Sequence, residues 1–205
     1  MRLKRKAKRI TPGIRVKKYN EGGVFAPRED VDPEPENELK VDREMLQKGV
    51  MAVESLNGIL MKNPQSSATG LYGQLFEEIE GAEMLKGATR DEFAKSKDLQ
   101  NLVWEERLKG NPDMFQEKNT GLLQDGVDIY EEYKPQLGDK LTYTPTELAA
   151  LSNFLGRQGT RILMGDVMRD GMSMAEALPT IYGSNKEYDN KTPEQYIKEF
   201  RAATK

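Results

Sequence analysis

The chain has 205 residues, 37% hydrophobic and 32% charged, with a formal net charge of −3, enough for one domain of ordinary size plus an extension. It contains neither cysteine nor histidine, which excludes disulfide frameworks, thiolate or imidazole metal sites, and Ser-His-Asp or Cys-His catalysis. Acid–base chemistry must therefore come from carboxylates, Lys or Tyr, and neither a metal nor another cofactor is expected.

The net negative charge argues against a protein that coats nucleic acid over its whole surface. No run of 18 apolar residues is present, so no membrane span is expected. The basic N-terminus is followed by no apolar core and does not read as a secretory signal. Such a protein is expected to stay where it is made or to be carried inside a larger particle.

Residues 1–41 read as an extended arm. Residues 1–18 hold nine Lys or Arg, and an acidic run with Pro33 and Pro35 follows from Glu29 to Glu38. Blocks of opposite sign with this composition bury little and do not build a core. Ile10, Ile14, Val16, Tyr19, Val24 and Phe25 are spaced apolar anchors, so residues 1–40 are expected to bind other protein chains in a multi-subunit assembly.

From residue 42 the pattern becomes helical. Asp42 can cap a helix over 43–55 whose apolar stripe is Leu46, Val50 and Val53. Glu54 sits on the edge of that stripe, near the helix end. Four capping boxes follow: Thr89–Glu92, Thr144–Glu147, Ser173–Glu176 and Thr192–Gln195. Two of them carry Pro at the first helical position. Further helices are expected near 71–80, 90–94, 97–109, 120–134, 145–155, 158–169, 173–178 and 193–203. Period-2 strands are scarce, and LTYT at 141–144 is the best candidate. The expected fold is one mostly α domain over residues 42–205.

Between Glu54 and Gln74 the sequence reads ESLNGILMKNPQSSATGLYGQ. A Glu-Ser pair at a helix end is followed by a polar loop, then Ser-Ser-Ala-Thr-Gly-Leu-Tyr, with Gln74 two places beyond Tyr72. Gly70 stands sixteen residues after Glu54. This arrangement resembles the active-site signature of lysozyme-like lytic transglycosylase domains of the SLT type, as carried in tailed-phage virions, the crAss-like group among them. The resemblance covers roughly 42–205 and is strongest at 63–74. It implies an α+β lysozyme-like body, a small-residue turn near LSNFLGRQG (151–159), and a last helix near 190–200 that packs back on the core.

The resemblance further implies that Glu54 is the general acid for cleaving peptidoglycan glycan strands. Ser67, Gly70, Tyr72 and Gln74 would line the substrate cleft. The chemistry is coherent, because the acid must hold its proton near neutral pH and a partly desolvated Glu does so. Gly70 would admit backbone close to a sugar, Tyr72 would offer a ring and hydroxyl, and Gln74 an amide for N-acetyl groups. Taken singly, each residue has a plainer reading: a solvated Glu at a helix end, a turn glycine, a core tyrosine, and Ser67 or Thr69 as helix caps. Leu56 and Gly73 depart from the family pattern and are placed to reshape the cleft. Glu77, Glu78 and Glu80 read as a solvated face, so a single-acid mechanism is favoured, in which the substrate's own groups assist and an anhydro-sugar forms.

Two functions follow as expectations. One is a virion-associated, peptidoglycan-cleaving enzyme aiding phage genome delivery, made in the host cytoplasm and packaged in the virion. The other is a non-enzymatic virion component (ring, adaptor or cargo subunit) that keeps the fold as a packing module. A nucleic-acid contact through residues 1–18 ranks last.

Overall fold

Helix-start chemistry written in the sequence decides most of the architecture. The computed structural model describes residues 39–56, 58, 68–111, 121–182 and 191–205. Residues 38–205 form one compact, mostly helical unit. The arm expected over 1–41 lies almost wholly outside the described residues.

Helix α1 spans Arg43–Ser55 and begins where Met45 N donates to the Asp42 carboxylate at 2.9 Å. Downstream lie α2 (Phe76–Ile79), α3 (Arg90–Lys95), α4 (Lys97–Lys109), α5 (Leu122–Leu137), α6 (Pro145–Ile162), α7 (Met174–Tyr182) and α8 (Pro193–Thr204). All four expected capping boxes form, at Thr89, Thr144, Thr192 and Ser173. Each satisfies backbone N–H groups that the first helical turn would otherwise leave unpaired. Gly156 breaks the α6 run with φ 73° and ψ 161°, and a π-helical segment, Leu163–Arg169, continues it. The helices expected over 145–155 and 158–169 therefore meet at this glycine.

Two local expectations are corrected. Residues 71–75 do not join a helix: Gly70 and Gly73 have φ of 82° and 61°, values that end helical winding and suit a tight turn. They close a two-stranded antiparallel hairpin of β1 (Ala68–Thr69) and β2 (Gln74–Leu75), with Thr69 opposite Gln74. LTYT is not a strand. Thr144 there caps α6, and the Thr142 carbonyl accepts from Arg201, so its polar groups serve the helices around it.

The main core gathers Leu46, Val50 and Val53 of α1 with Trp104, Ile129, Leu148, Leu151, Ile197 and Phe200. Burying each such large side chain contributes roughly 1.5–3 kcal/mol. The most extensive helix contacts are α5 with α6 and α1 with α8. The second is close because Gly49 lacks a side chain: a Cβ there would stand 2.2 Å from the Phe200 ring. A smaller cluster of Phe76, Ile79, Leu85, Phe93 and Val103 lies beneath the hairpin side of the chain. No described helix is long and apolar enough to cross a membrane.

Candidate functional site

The end of α1 delivers Glu54 to the place where the hairpin turn and α8 meet it. The helix closes on Leu56, which is 54% exposed and left-handed with φ 50°, a strained conformation for a branched residue and one found disproportionately at functional sites. Leu56 thus points to solvent. Gly73, on the hairpin turn, bears directly on the Glu54 carboxyl. A Cβ on Gly73 would lie 2.5 Å from Glu54 Oε2 and 3.1 Å from its carboxyl carbon. Only glycine lets the carboxyl rest against the turn.

From the opposite side come Tyr196 of α8 and Lys191 just before it. Tyr196 is 1% exposed and its ring stacks on Phe154 at 4.4 Å. Its hydroxyl faces Glu54 and Asn153 but makes no hydrogen bond of regular geometry among the described residues. Lys191 is paired with Glu199 at 2.7 Å. Part of the Glu54 residue reaches the surface, yet protein is dense around its carboxyl. Desolvation raises its pKa from 4.5 to about 7, against the lowering effects of the Tyr196 hydroxyl and the Lys191 charge. Burial first, and then the neighbouring Glu54, push the Tyr196 phenol well above its ordinary value. Glu54 therefore holds its proton through mildly acidic pH and is about half protonated near pH 7, the range in which a carboxyl can act as a proton donor.

Gln74 borders this region on β2. It is 8% exposed, and neither its amide nitrogen nor its oxygen has a hydrogen-bond partner among the described residues. Buried amides are ordinarily paired, so two unpaired polar atoms on one side chain are an exception.

Tyr72 occupies a different setting. Its ring is 1% exposed and stacks on Trp104 at 4.4 Å, with planes 8° apart. Its hydroxyl accepts from Gln47 at 2.8 Å and donates to Asn101 at 2.7 Å. Both the ring and the hydroxyl are thus engaged by the protein itself. Gly70 presses on Gln100, whose Cδ would be 2.9 Å from an added Cβ. Thr69 is buried and accepts from Arg90 Nε at 2.7 Å, while Arg90 Nη2 donates to the Ala68 carbonyl, so Arg90 pins β1. Ser67 lies outside the described residues. Glu77 and Glu80 are exposed.

No protein-family model, curated protein or solved structure matches this chain.

The structure thus brings Glu54, Gly73 and Tyr196 together, places Gln74 nearby, and assigns Tyr72 to the core. Sequence reasoning overlooked Tyr196 and Gln100. Tyr196 reads as core because Tyr196, Ile197 and Phe200 form one apolar stripe. Gln100 left a detectable signal: it is a polar residue on the face of α4 shared with Val103, Trp104 and Leu108. Among the described residues no group of three or more acids is placed to hold a metal ion.

Proposed function

We propose that this protein cleaves the glycan strands of peptidoglycan by general acid catalysis from Glu54, as a virion-associated lytic transglycosylase that opens the cell wall for phage genome delivery. The observation that carries the reading is the enclosed carboxyl of Glu54, held between Gly73 and Tyr196 and protonated up to about pH 7. Protonating the glycosidic oxygen is the step such a group performs, with no metal and no histidine required. The unpaired Gln74 amide supplies hydrogen-bonding capacity for an N-acetyl group. Tyr72 holds the turn from within the core and does not stack on sugar. Among the described residues no carboxylate joins Tyr196 and Lys191 in setting the Glu54 proton affinity, which favours the substrate-assisted route to an anhydro-sugar over a two-carboxylate hydrolysis.

The test is muropeptide release from purified cell walls, with wild type beside Glu54→Gln and circular dichroism to confirm folding. General acid catalysis contributes about 10²–10⁴-fold, and Glu54→Gln loses that much. Anhydro-muropeptides in the wild-type digest identify a transglycosylase, and reducing ends identify a hydrolase. The wild-type rate falls as pH rises through about 7, where Glu54 gives up its proton. Equal activity in both proteins removes Glu54 from the mechanism. A folded wild type that releases nothing leaves the second reading, a virion packing module, which the inward-facing Tyr72 ring favours.

A further inference from the structure

The turn that meets Glu54 is itself held from behind. Gln100 on α4 is fully buried, and its carboxamide makes three hydrogen bonds. The oxygen accepts from Leu71 N at 2.9 Å, and the nitrogen donates to the Phe93 carbonyl at 2.7 Å and the Ala94 carbonyl at 3.0 Å. One side chain thereby ties the Gly70–Gly73 turn to the end of α3. Gly70 packs directly on the Gln100 amide carbon, and Gly73 packs on the Glu54 carboxyl. The two glycines are joined across the turn by Gly73 N donating to the Gly70 carbonyl at 3.4 Å. A continuous chain of contacts therefore runs from Gln100 through the turn to Glu54.

We propose that Gln100 is a positioning residue for Glu54: it anchors the Gly70–Gly73 turn so that the Gly73 backbone stays against the carboxyl. An apolar residue at this position would leave the buried Leu71 N–H and the Ala94 carbonyl without the Gln100 amide, while the Phe93 carbonyl keeps Ser96 N at 3.1 Å, and buried groups that lose a partner seek new ones by moving. The turn then draws away from α1 and water reaches Glu54. A glycine at position 73 is needed for the approach, and Gln100 is needed for it to persist. This inference rests on Glu54 being the acid of the proposed reaction, but its readout does not depend on catalysis.

That readout is the titration of Glu54 followed by carbon-13 NMR of the glutamate side-chain carboxyls, its signal assigned by its absence in Glu54→Gln. In the wild-type protein the midpoint lies at about 7. In folded Gln100→Leu it moves down toward 4.5, the ordinary value, as solvent reaches the group. Tyr196 and Lys191, the latter paired with Glu199, face Glu54 from the α8 side. They are unchanged in the variant, so a fall reports the turn. Should Gln100→Leu fail to fold, Gln100→Asn keeps the amide but shortens its reach by one methylene, and lowers the midpoint in the same direction. A folded variant of either kind whose melting temperature drops while Glu54 still titrates near 7 overturns the proposal, because Gln100 would then serve stability alone. A wild type inactive on cell walls removes the proposed reaction, but the Glu54 titration still decides whether Gln100 holds the turn.

Discussion

Asp125 and Glu54 are both acids enclosed in the helical body, and the protein treats them in opposite ways. Asp125 on α5 is 1% exposed, and Arg157 Nη1 donates to it at 2.7 Å while Nη2 donates to Asp128 at the same distance. One turn on, Arg161 pairs with Glu132. These guanidiniums staple α5 to α6, the most extensively packed helix pair. Among the described residues Glu54 meets no guanidinium. It has a glycine backbone, a phenol and a lysine already paired with Glu199. An acid bound to a planar guanidinium that reaches a second carboxylate with its other nitrogen holds structure together. An acid whose proton is held toward neutral pH by burial, with no ion partner of its own, fits the proton-donor role proposed for Glu54.

The strongest test of that contrast is to remove the guanidinium. Arg157→Ala takes the guanidinium away from the buried Asp125 carboxylate, and breaking a buried pair in this way costs up to about 3–5 kcal/mol. Urea denaturation at neutral pH measures it. Adding Asp125→Asn to the same variant removes the buried charge and recovers part of the loss. A cost under about 1 kcal/mol for Arg157→Ala would mean that Asp125 is no more committed to structure than Glu54 is.

Glu54 should behave in the reverse sense. Its folded pKa of about 7 lies above the ordinary 4.5, so the native state favours the protonated acid. That preference is fully present below pH 4.5 and is lost as pH rises through 7. Glu54→Gln, neutral at every pH, is therefore more stable than wild type at about pH 8 by about 1–3 kcal/mol, after allowing for the partial exposure of the residue. At pH 4.5 the two proteins are nearly equal. Matched denaturation curves at both pH values check this. A Glu54→Gln variant less stable than wild type at the higher pH would show that the carboxylate is held as an ion, like Asp125.

The sequence exposes these two acids unequally. Helix starts were legible because capping is local: Thr89, Thr144, Ser173 and Thr192 each act on a residue three places away. Gly156 was legible as a break for the same reason. The Glu54 end of α1 followed from a single apolar stripe. The hairpin was hidden, since two-residue strands carry no period, and the segment around Leu71, Tyr72, Leu75 and Phe76 has enough apolar residues to imitate a helix. What surrounds Glu54 was least legible. Tyr196 reaches it only because α8 packs on α1, and α8 comes that close only because Gly49 opens room for Phe200. Tyr72 showed the converse. Its motif position marked it as a cleft residue, and the decisive fact, the Trp104 ring stacked on it, lies on another helix.

The smallest expected effect concerns the hydroxyl of Tyr196, and it separates the two kinds of acid most finely. That hydroxyl is buried without a regular hydrogen bond among the described residues, and it lowers the proton affinity of Glu54. Tyr196→Phe keeps the ring stacked on Phe154 and removes only the oxygen. While Glu54 is protonated the loss is nearly neutral, within about 1 kcal/mol, because a poorly paired buried hydroxyl adds little net stability. Once Glu54 ionises, the phenol is one of the few groups that stabilise the charge. The substitution therefore raises the Glu54 midpoint above about 7 and extends the acid form to higher pH. Carbon-13 titration of Tyr196→Phe beside wild type measures the shift. An unchanged midpoint would mean that the phenol is packing alone, and that the proton affinity of Glu54 is set by Gly73 and the hairpin turn without help from α8.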